Sequence, residues 1–399
     1  MLRLTLHPVE LPLRHTWTIA HGTRTVQRNL IVALHDPDTG HTGYGEAPGI
    51  PYMGVELPQM VRFLRETDHT GIGTARIPLD EAELLRHKNY PGQWFFLRDE
   101  PGGSLESWMF AHAALDEARY DLWGKTHGRS VRETLAPNHA AVPRSDYTIG
   151  LDTPEMMAEK LRGFPDFPVY KIKLGSPPGQ GGVSRDLDIV RRLRDETDVP
   201  FRVDANTAWT ANDTIRISQT LRDLGVEFIE QPLAPELPRE EHEAVYFGSD
   251  LPIIADESCQ ADVDIAKCEG LFHGVNIKLS KCGGMTPARI MIADARRRGL
   301  RVMAGCMTES TVGISALAQL LPLLDEVDMD GALLLAEGAD VAEGVRLRTD
   351  GTAAFPEGSA GHGNAVRLTR RLPAVANPPQ VQLKRRWSLP WRRRGWTST

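Results

Sequence analysis

From Tyr147 onward, short apolar runs alternate with stretches whose apolar residues recur at helical spacing. Strands are expected near Tyr147–Gly150, Val169–Leu174, Phe201–Asp204, Glu227–Glu230, Ile253–Asp256, Val275–Leu279, Arg301–Gly305 and Asp328–Leu335. The segments between them, such as Asp186–Asp195 and Thr286–Arg298, carry the helical offsets. Eight strands alternating with helices predict a (β/α)8-type barrel, an α/β fold. An open doubly wound sheet fits less well, because no Gly-rich dinucleotide turn follows the first strand. Gly175–Gly182 is expected to be a flexible surface insertion after the second strand.

The chain before the barrel has a different pattern. Leu2, Leu4 and Leu6 alternate, Leu30–Leu34 is a continuous apolar run, and Thr42–Ala47 can return beside it after the turn Asp36-Pro37-Asp38-Thr39-Gly40. Ala111, Ala114, Leu115, Ala118 and Leu122 then line one face of a helix between Ser107 and Lys125, which Gly124 or Gly128 can end. The expected division is an N-terminal α+β capping domain over residues 1–130 and the barrel with its catalytic site over 131–350. A return segment over 351–373 packs on the capping domain, and a basic tail over 374–399 is expected to be disordered.

Length and composition agree with this division, since 399 residues suit a barrel of about 250 plus a second unit. No run approaches bilayer length, and His7, Pro8, Glu10 and Pro12 interrupt the start of the chain, so no signal peptide is expected. Cys259, Cys268, Cys282 and Cys306 lack a metal-finger spacing and are expected to be reduced, packed thiols of a cytoplasmic protein, assembled as a homo-oligomer. Of the net charge of −7, the tail contributes six positive charges, from Lys384, Arg385, Arg386, Arg392, Arg393 and Arg394. The remaining body, at −13, argues against nucleic acid as the partner. Trp387, Trp391 and Trp396 among those arginines leave open a contact with an anionic membrane surface.

Charged residues recur where the strands end. Lys171 and Lys173, Asp204, Glu230, Asp256 and Lys278 each close an apolar run, at spacings of 31, 26, 26 and 22 residues from Lys173 onward. Consecutive parallel strands at that spacing bring these groups to one mouth of a barrel, where such folds keep their chemistry. Any one of the three acids alone reads as a helix cap or a lysine partner; in succession they read as oxygen ligands for a hard divalent cation such as Mg²⁺. The lysines would then flank the metal. Lys171 and Lys173 point the same way on their strand, so repulsion between them is expected to lower the lysine pKa and make a general base near neutral pH. Proton removal α to a carboxylate needs help with the charge of the enolate, which a divalent cation supplies. With a base on each face, the outcome is inversion at that carbon.

These residues resemble the enolase superfamily, in its muconate-lactonizing-enzyme-like subgroup. The likeness rests on Lys171-x-Lys173, the three acids, Asn276-Ile277-Lys278-Leu279-Ser280-Lys281-Cys282-Gly283-Gly284 and the helix Ala113–Lys125. It implies Lys173 and Lys278 as the acid/base pair, Lys171 as their assistant, and Asp204, Glu230 and Asp256 as Mg²⁺ ligands. Asp328-Met329-Asp330 at the eighth strand is similar to the Asp-x-Asp with which dipeptide epimerases hold a substrate's α-ammonium. That likeness implies a Mg²⁺-dependent epimerase inverting the C-terminal residue of a dipeptide. Further substrate-binding candidates are Thr148 on the first strand, Met307 in Gly305–Ser310, and Arg24 in the loop Thr18–Arg24, which could clamp a carboxylate. Tyr52 and Met53 stand in a second loop, and the stretch Arg65–Gly103, with Trp94-Phe95-Phe96, matches no family segment. The same site could instead serve a cycloisomerase or an o-succinylbenzoate synthase, whose substrates carry no α-ammonium. A noncatalytic metal-binding barrel tethered by its tail is the third reading.

Overall fold

The computed structural model describes residues 2–19, 22–66, 104–136 and 141–375. The tail from 376, the stretch 67–103 with its Trp94-Phe95-Phe96, and Ala20 and His21 of the Thr18–Arg24 loop lie outside the described residues.

An antiparallel sheet of β1 (Arg3–Ile19), β2 (Gly22–His35) and β3 (Thr42–Pro48) opens the chain. Its register sets Leu4 opposite Leu34, Leu6 opposite Val32 and Leu30 opposite Ala47, so these pairs make an apolar patch on one face of the pleat. That face packs on Phe110, Ala111, Ala114, Leu115, Ala118 and Leu122 of the helix Leu105–His127. The small residues of the helix admit a very close approach: a Cβ on Gly43 or Gly45 would run into the backbone carbonyl of Ala118 or Ala114. Ser104 caps the helix start by accepting from Ser107 N, and Gly128, at φ 61°, ends it. Gly124 stays inside the helix, where its missing side chain makes room for Gly363.

The barrel consists of eight parallel strands in sequence order: β4 (Tyr147–Ile149), β5 (Tyr170–Lys173), β6 (Phe201–Asp204), β7 (Val226–Glu230), β8 (Ile253–Ala255), β9 (Gly274–Ile277), β10 (Arg301–Gly305) and β11 (Glu326–Asp328). A parallel bridge from Ser145 to Val327 draws its last strand toward its first. Seven of the strands fall where the apolar runs predict, but the eighth does not. The apolar residues after Asp328 form the short 3-10 helix Gly331–Leu334 instead of extending the strand. Leu335 is spent on a contact outside the barrel, buried against Val9, Leu11 and Ile31 of the N-terminal sheet.

The Gly175–Gly182 segment also departs from expectation, being anchored rather than free. Asp186 accepts from Gly175 N at 3.0 Å, Ser176 N at 3.0 Å and Trp209 Nε1 at 2.8 Å, and Pro178–Gln180 is a 3-10 turn. The cysteines are free, with Cys259, Cys268 and Cys282 buried, as expected. Among the described residues no helix is long and apolar enough to cross a membrane.

The N-terminal sheet and helix sit on the barrel through polar contacts. Asp116 accepts from Thr286 N at 2.8 Å and His112 Nδ1 meets Gly283 O at 2.7 Å. These bonds seat the helix Leu105–His127 beside the loop that follows Lys278, while Asn364 N of the return segment donates to Asp121 at 2.9 Å.

Candidate active site

Six of the predicted site residues stand at the C-terminal ends of barrel strands. Lys173, Asp204, Glu230 and Asp328 are the last residues of their strands, and Asp256 and Lys278 come directly after theirs. Left-handed backbone at Asn206 (φ 45°), Thr207 (φ 69°) and Gln231 (φ 36°) turns the chain sharply just beyond Asp204 and Glu230. Such strain in non-glycine residues gathers at functional sites. Gln231 then orients the next ligand candidate, its Oε1 accepting from Asp256 N at 2.8 Å and Ser258 N at 3.0 Å.

Asp204, Glu230 and Asp256 are fully buried, and each offers an oxygen within 4.8 Å of the others. Lys173 Nζ stands 2.6 Å from Asp204 and Lys278 Nζ 2.7 Å from Asp256, so the two lysines attach to different members of the trio. Lys171 lies deeper, with Nζ 2.9 Å from Glu230 and 3.2 Å from both Asp204 and Asp328. Burial pushes the Glu230 carboxyl up to about 7, with Asp204 and Asp256 adding to the rise and Lys171 opposing it. Its Oε2 accepts no well-formed hydrogen bond despite Lys171 nearby. A trio of hard oxygen donors, mutually repelling and one of them under-coordinated, fits a divalent metal ion.

At Lys171 the expectation of a depressed lysine is not met. Burial lowers the Lys171 pKa, but Glu230, Asp328 and Asp204 outweigh it and hold the ammonium well above its ordinary value. Lys278 is likewise raised, because Asp256 overrides burial and the repulsion of Lys171. Each lysine is closer to carboxylates than like-charge reasoning along one strand anticipates.

Asp328 and Asp330 come together in the same cleft. Asp330 accepts from Thr148 N at 2.6 Å, and Thr148 Oγ1 lies 3.4 Å from Asp328. Burial and the neighbouring Asp328 raise Asp330 well above the carboxylate range, whereas Lys171 keeps Asp328 low against the effect of burial. The pair therefore favours a single charge, held on Asp328 beside Lys171. The cleft is also lined by Arg24, Tyr52, Met307, Thr308, Lys173 and Lys278. Arg24 Nη2 donates to Thr308 Oγ1 at 3.0 Å, and its Nε has no hydrogen-bond partner among the described residues.

Several residues were missed from the sequence. Lys281 Nζ holds the second oxygen of Asp256 at 2.7 Å, and Asn276 Nδ2 donates to Glu230 at 2.9 Å. The signal for Asn276 was present, since it stands two residues before Lys278 and shares its side of β9. Cys306, with Sγ within 4.8 Å of the Asp328 and Asp330 oxygens, and Thr308 stand in the Gly305–Ser310 segment, where Met307 alone is predicted to meet the substrate.

Residues 155–370 match the family described as Enolase C-terminal domain-like. The chain belongs to the enolase superfamily. Within it, this member of the muconate-lactonizing-enzyme-like subgroup is most similar to dipeptide epimerases. It is 43% identical over 354 residues to an L-Ala-D/L-amino acid epimerase of Flavobacterium johnsoniae, covering 89% of this chain and 97% of that one. An L-Ala-D/L-Glu epimerase of Bacteroides thetaiotaomicron is 33% identical over 352 residues, covering 86% and 84%. Among solved structures, the Enterococcus faecalis dipeptide epimerase complexed with Mg and L-Leu-L-Tyr superposes with a TM-score of 0.76 at 27% identity, covering 91% and 98%. This superfamily member is an isomerase.

Proposed function

We propose that the protein is a Mg²⁺-dependent dipeptide epimerase that inverts the α-carbon of the C-terminal residue by 1,1-proton transfer between Lys173 and Lys278. The observation that carries this reading is the pairing of opposed lysines, each on a different carboxylate of the trio, with two further acids in the same cleft. Asp204, Glu230 and Asp256 would hold the metal, with Asn276 and Lys281 fixing Glu230 and Asp256. When bound there, a divalent cation supplies positive charge against a developing enolate and favours the neutral form of nearby lysines.

One lysine, in its neutral form, takes the α-proton while the other, as an ammonium, returns one to the opposite face; the roles exchange in the reverse direction. Lys171, held by three carboxylates, stays charged and offsets the negative charge beneath the substrate. Asp328 and Asp330 receive the α-ammonium of the N-terminal residue, and that requirement separates a dipeptide from substrates of cycloisomerases and o-succinylbenzoate synthases. Arg24, Tyr52 and Met307 line the part of the cleft that would meet the C-terminal side chain, with Thr148 beside the acids. The names of the relatives from F. johnsoniae and B. thetaiotaomicron support alanine at the N-terminal position.

The test is a library of L,L-dipeptides incubated with enzyme and Mg²⁺ in D₂O and read by mass spectrometry, with a chelator-treated control. A gain of one deuteron in particular dipeptides, with formation of the L,D product and loss of both in the chelated sample, is expected. Absence of exchange in every dipeptide, with the metal shown to be bound, would overturn the reading in favour of cycloisomerisation or an N-acyl amino acid substrate.

A further inference from the structure

Behind the Met307–Thr308 wall of the cleft, three glutamates from three separate elements meet out of water. Glu46 of β3, Glu117 of the helix Leu105–His127, and Glu309 beyond β10 are 1%, 1% and 6% exposed. The Glu46 carboxylate accepts from Ser310 N at 3.0 Å, Ser310 Oγ at 2.6 Å, Gly313 N at 2.9 Å and Asn29 Nδ2 at 2.6 Å. Four donors on one carboxylate favour its ionised form, against the effect of its burial. Glu117 accepts from the backbone N of Glu46 at 3.0 Å. Glu309 accepts from Met307 N at 3.0 Å, and its carboxylate fills the space that a Cβ on Gly313 would need.

The wall itself is held from the same side. Thr308 O accepts from Asn29 Nδ2 at 3.1 Å and Thr308 Oγ1 accepts from Arg24 Nη2 at 3.0 Å, both reaching over from β2. Thus Met307, Thr308 and Ser310 are each tied to a member of the glutamate cluster or to Asn29, which itself binds Glu46. We infer that Glu46, Glu117 and Glu309 form a proton-dependent latch: while they retain a proton, they seat the Met307–Thr308 wall against the N-terminal sheet, and losing it releases the wall and weakens substrate binding. Glu46 and Asn29 are then positioning residues, since they act on the cleft through the wall.

The electrostatics agree with the geometry. Burial, then Glu46, push the Glu309 carboxyl up to about 8; Asp328 adds to this, while Met307 N and Lys278 oppose it. The Lys278 ammonium is itself engaged by Asp256 at 2.7 Å. Burial raises Glu117 well above the carboxylate range, and Glu309, Glu46 and Asp116 all push the same way. Burial also raises Glu46, against the hydrogen bonds from Ser310, Asn29 and Gly313. The sign follows directly. A carboxyl whose folded pKa is raised stabilises the closed state fully below its unfolded value of about 4.3, and that contribution is lost as pH rises through the folded value. With Glu309 near 8, a latch closed only when protonated is populated to about one-tenth at pH 9.

The experiment has two arms, because the kinetic one rests on the epimerase reading and the structural one does not. In the first, amide hydrogen exchange of peptides covering 44–48 and 307–313 is followed in the full chain without substrate from pH 7 to pH 9.5, corrected for intrinsic rates. Protection is expected to fall about tenfold by pH 9 and to stay level in Glu309→Gln; level protection in the wild type overturns the latch whatever the substrate. In the second, KM for the best dipeptide should rise about tenfold from pH 7 to pH 9, with the rise setting in near pH 8 and absent in Glu309→Gln. A falling kcat at constant KM would also overturn it. If protection falls but no dipeptide is turned over, the latch stands and the substrate reading fails. Should Glu309→Gln not fold, the wild-type pH series decides alone.

Discussion

Replacing Asp328 by Asn tests the assignment of the acid pair to a substrate ammonium, and the structure predicts an unusual pattern of loss. Asn keeps the shape and an acceptor for Thr148 Oγ1, now at 3.4 Å, while removing the charge that faces Lys171 at 3.2 Å. Lys171 retains Glu230 and Asp204, so the scaffold should survive. A charge-assisted hydrogen bond of this kind contributes about 1.5–3 kcal/mol net, which corresponds to roughly 10- to 150-fold in kcat/KM. The single substitution should fall at the low end, near tenfold. Burial and the charge on Asp328 bias Asp330 toward its protonated form, and once that charge is gone Asp330 ionises more readily and can take over the ammonium.

Asp330→Asn should be equally mild, because Asp328 already carries the charge. Only the double substitution leaves the ammonium without a carboxylate, and it should cost more than the product of the two single losses, on the order of a thousandfold. The assay is kcat/KM for the best dipeptide at saturating Mg²⁺, with inhibition constants for the free dipeptide and its N-acetyl form measured alongside. The double variant should lose the preference for the free amine while binding Mg²⁺ as the wild type does by calorimetry. An unchanged preference, or single variants as damaged as the double, would refute the shared-charge account.

Lys173→Ala and Lys278→Ala should each lower epimerisation by about 10²- to 10⁴-fold, yet each should still exchange the α-proton of one stereoisomer with solvent, and not of the same one. Proton NMR in D₂O of the L,L and L,D dipeptides decides this, and loss of exchange from both isomers in both variants would rule out bases on opposite faces. Asp186→Ala strips the acceptor from Gly175 N, Ser176 N and Trp209 Nε1, and should lower stability by about 2–4 kcal/mol in urea unfolding. A change within about 0.5 kcal/mol would mean that water replaces the carboxylate there.

What could be read along the chain and what could not divide along a physical line. Parallel strands buried on both faces appear as short apolar runs, and a charged residue closing such a run, as Asp204 or Glu230 does, marks its mouth without knowledge of any partner. The barrel and the trio of acids were legible for that reason. The end of the eighth strand was not, because Leu335 is apolar on account of Val9 and Leu11, more than three hundred residues earlier. The state of Lys171 was not legible for a similar reason: Lys171 and Lys173 are neighbours in sequence, but the charges that govern Lys171 come from Glu230 and Asp328. Most hidden of all was the joint at Thr308, where Asn29 reaches across 279 positions and Glu46 meets Ser310 across 264. Chemistry that depends on one residue per strand is thus written locally, whereas the wall that would select a substrate depends on how two distant parts of the chain dock. It follows that substitutions at strand ends should change what happens to a bound molecule, and substitutions at Asn29, Glu46 or Glu309 should change which molecule is bound and at what pH.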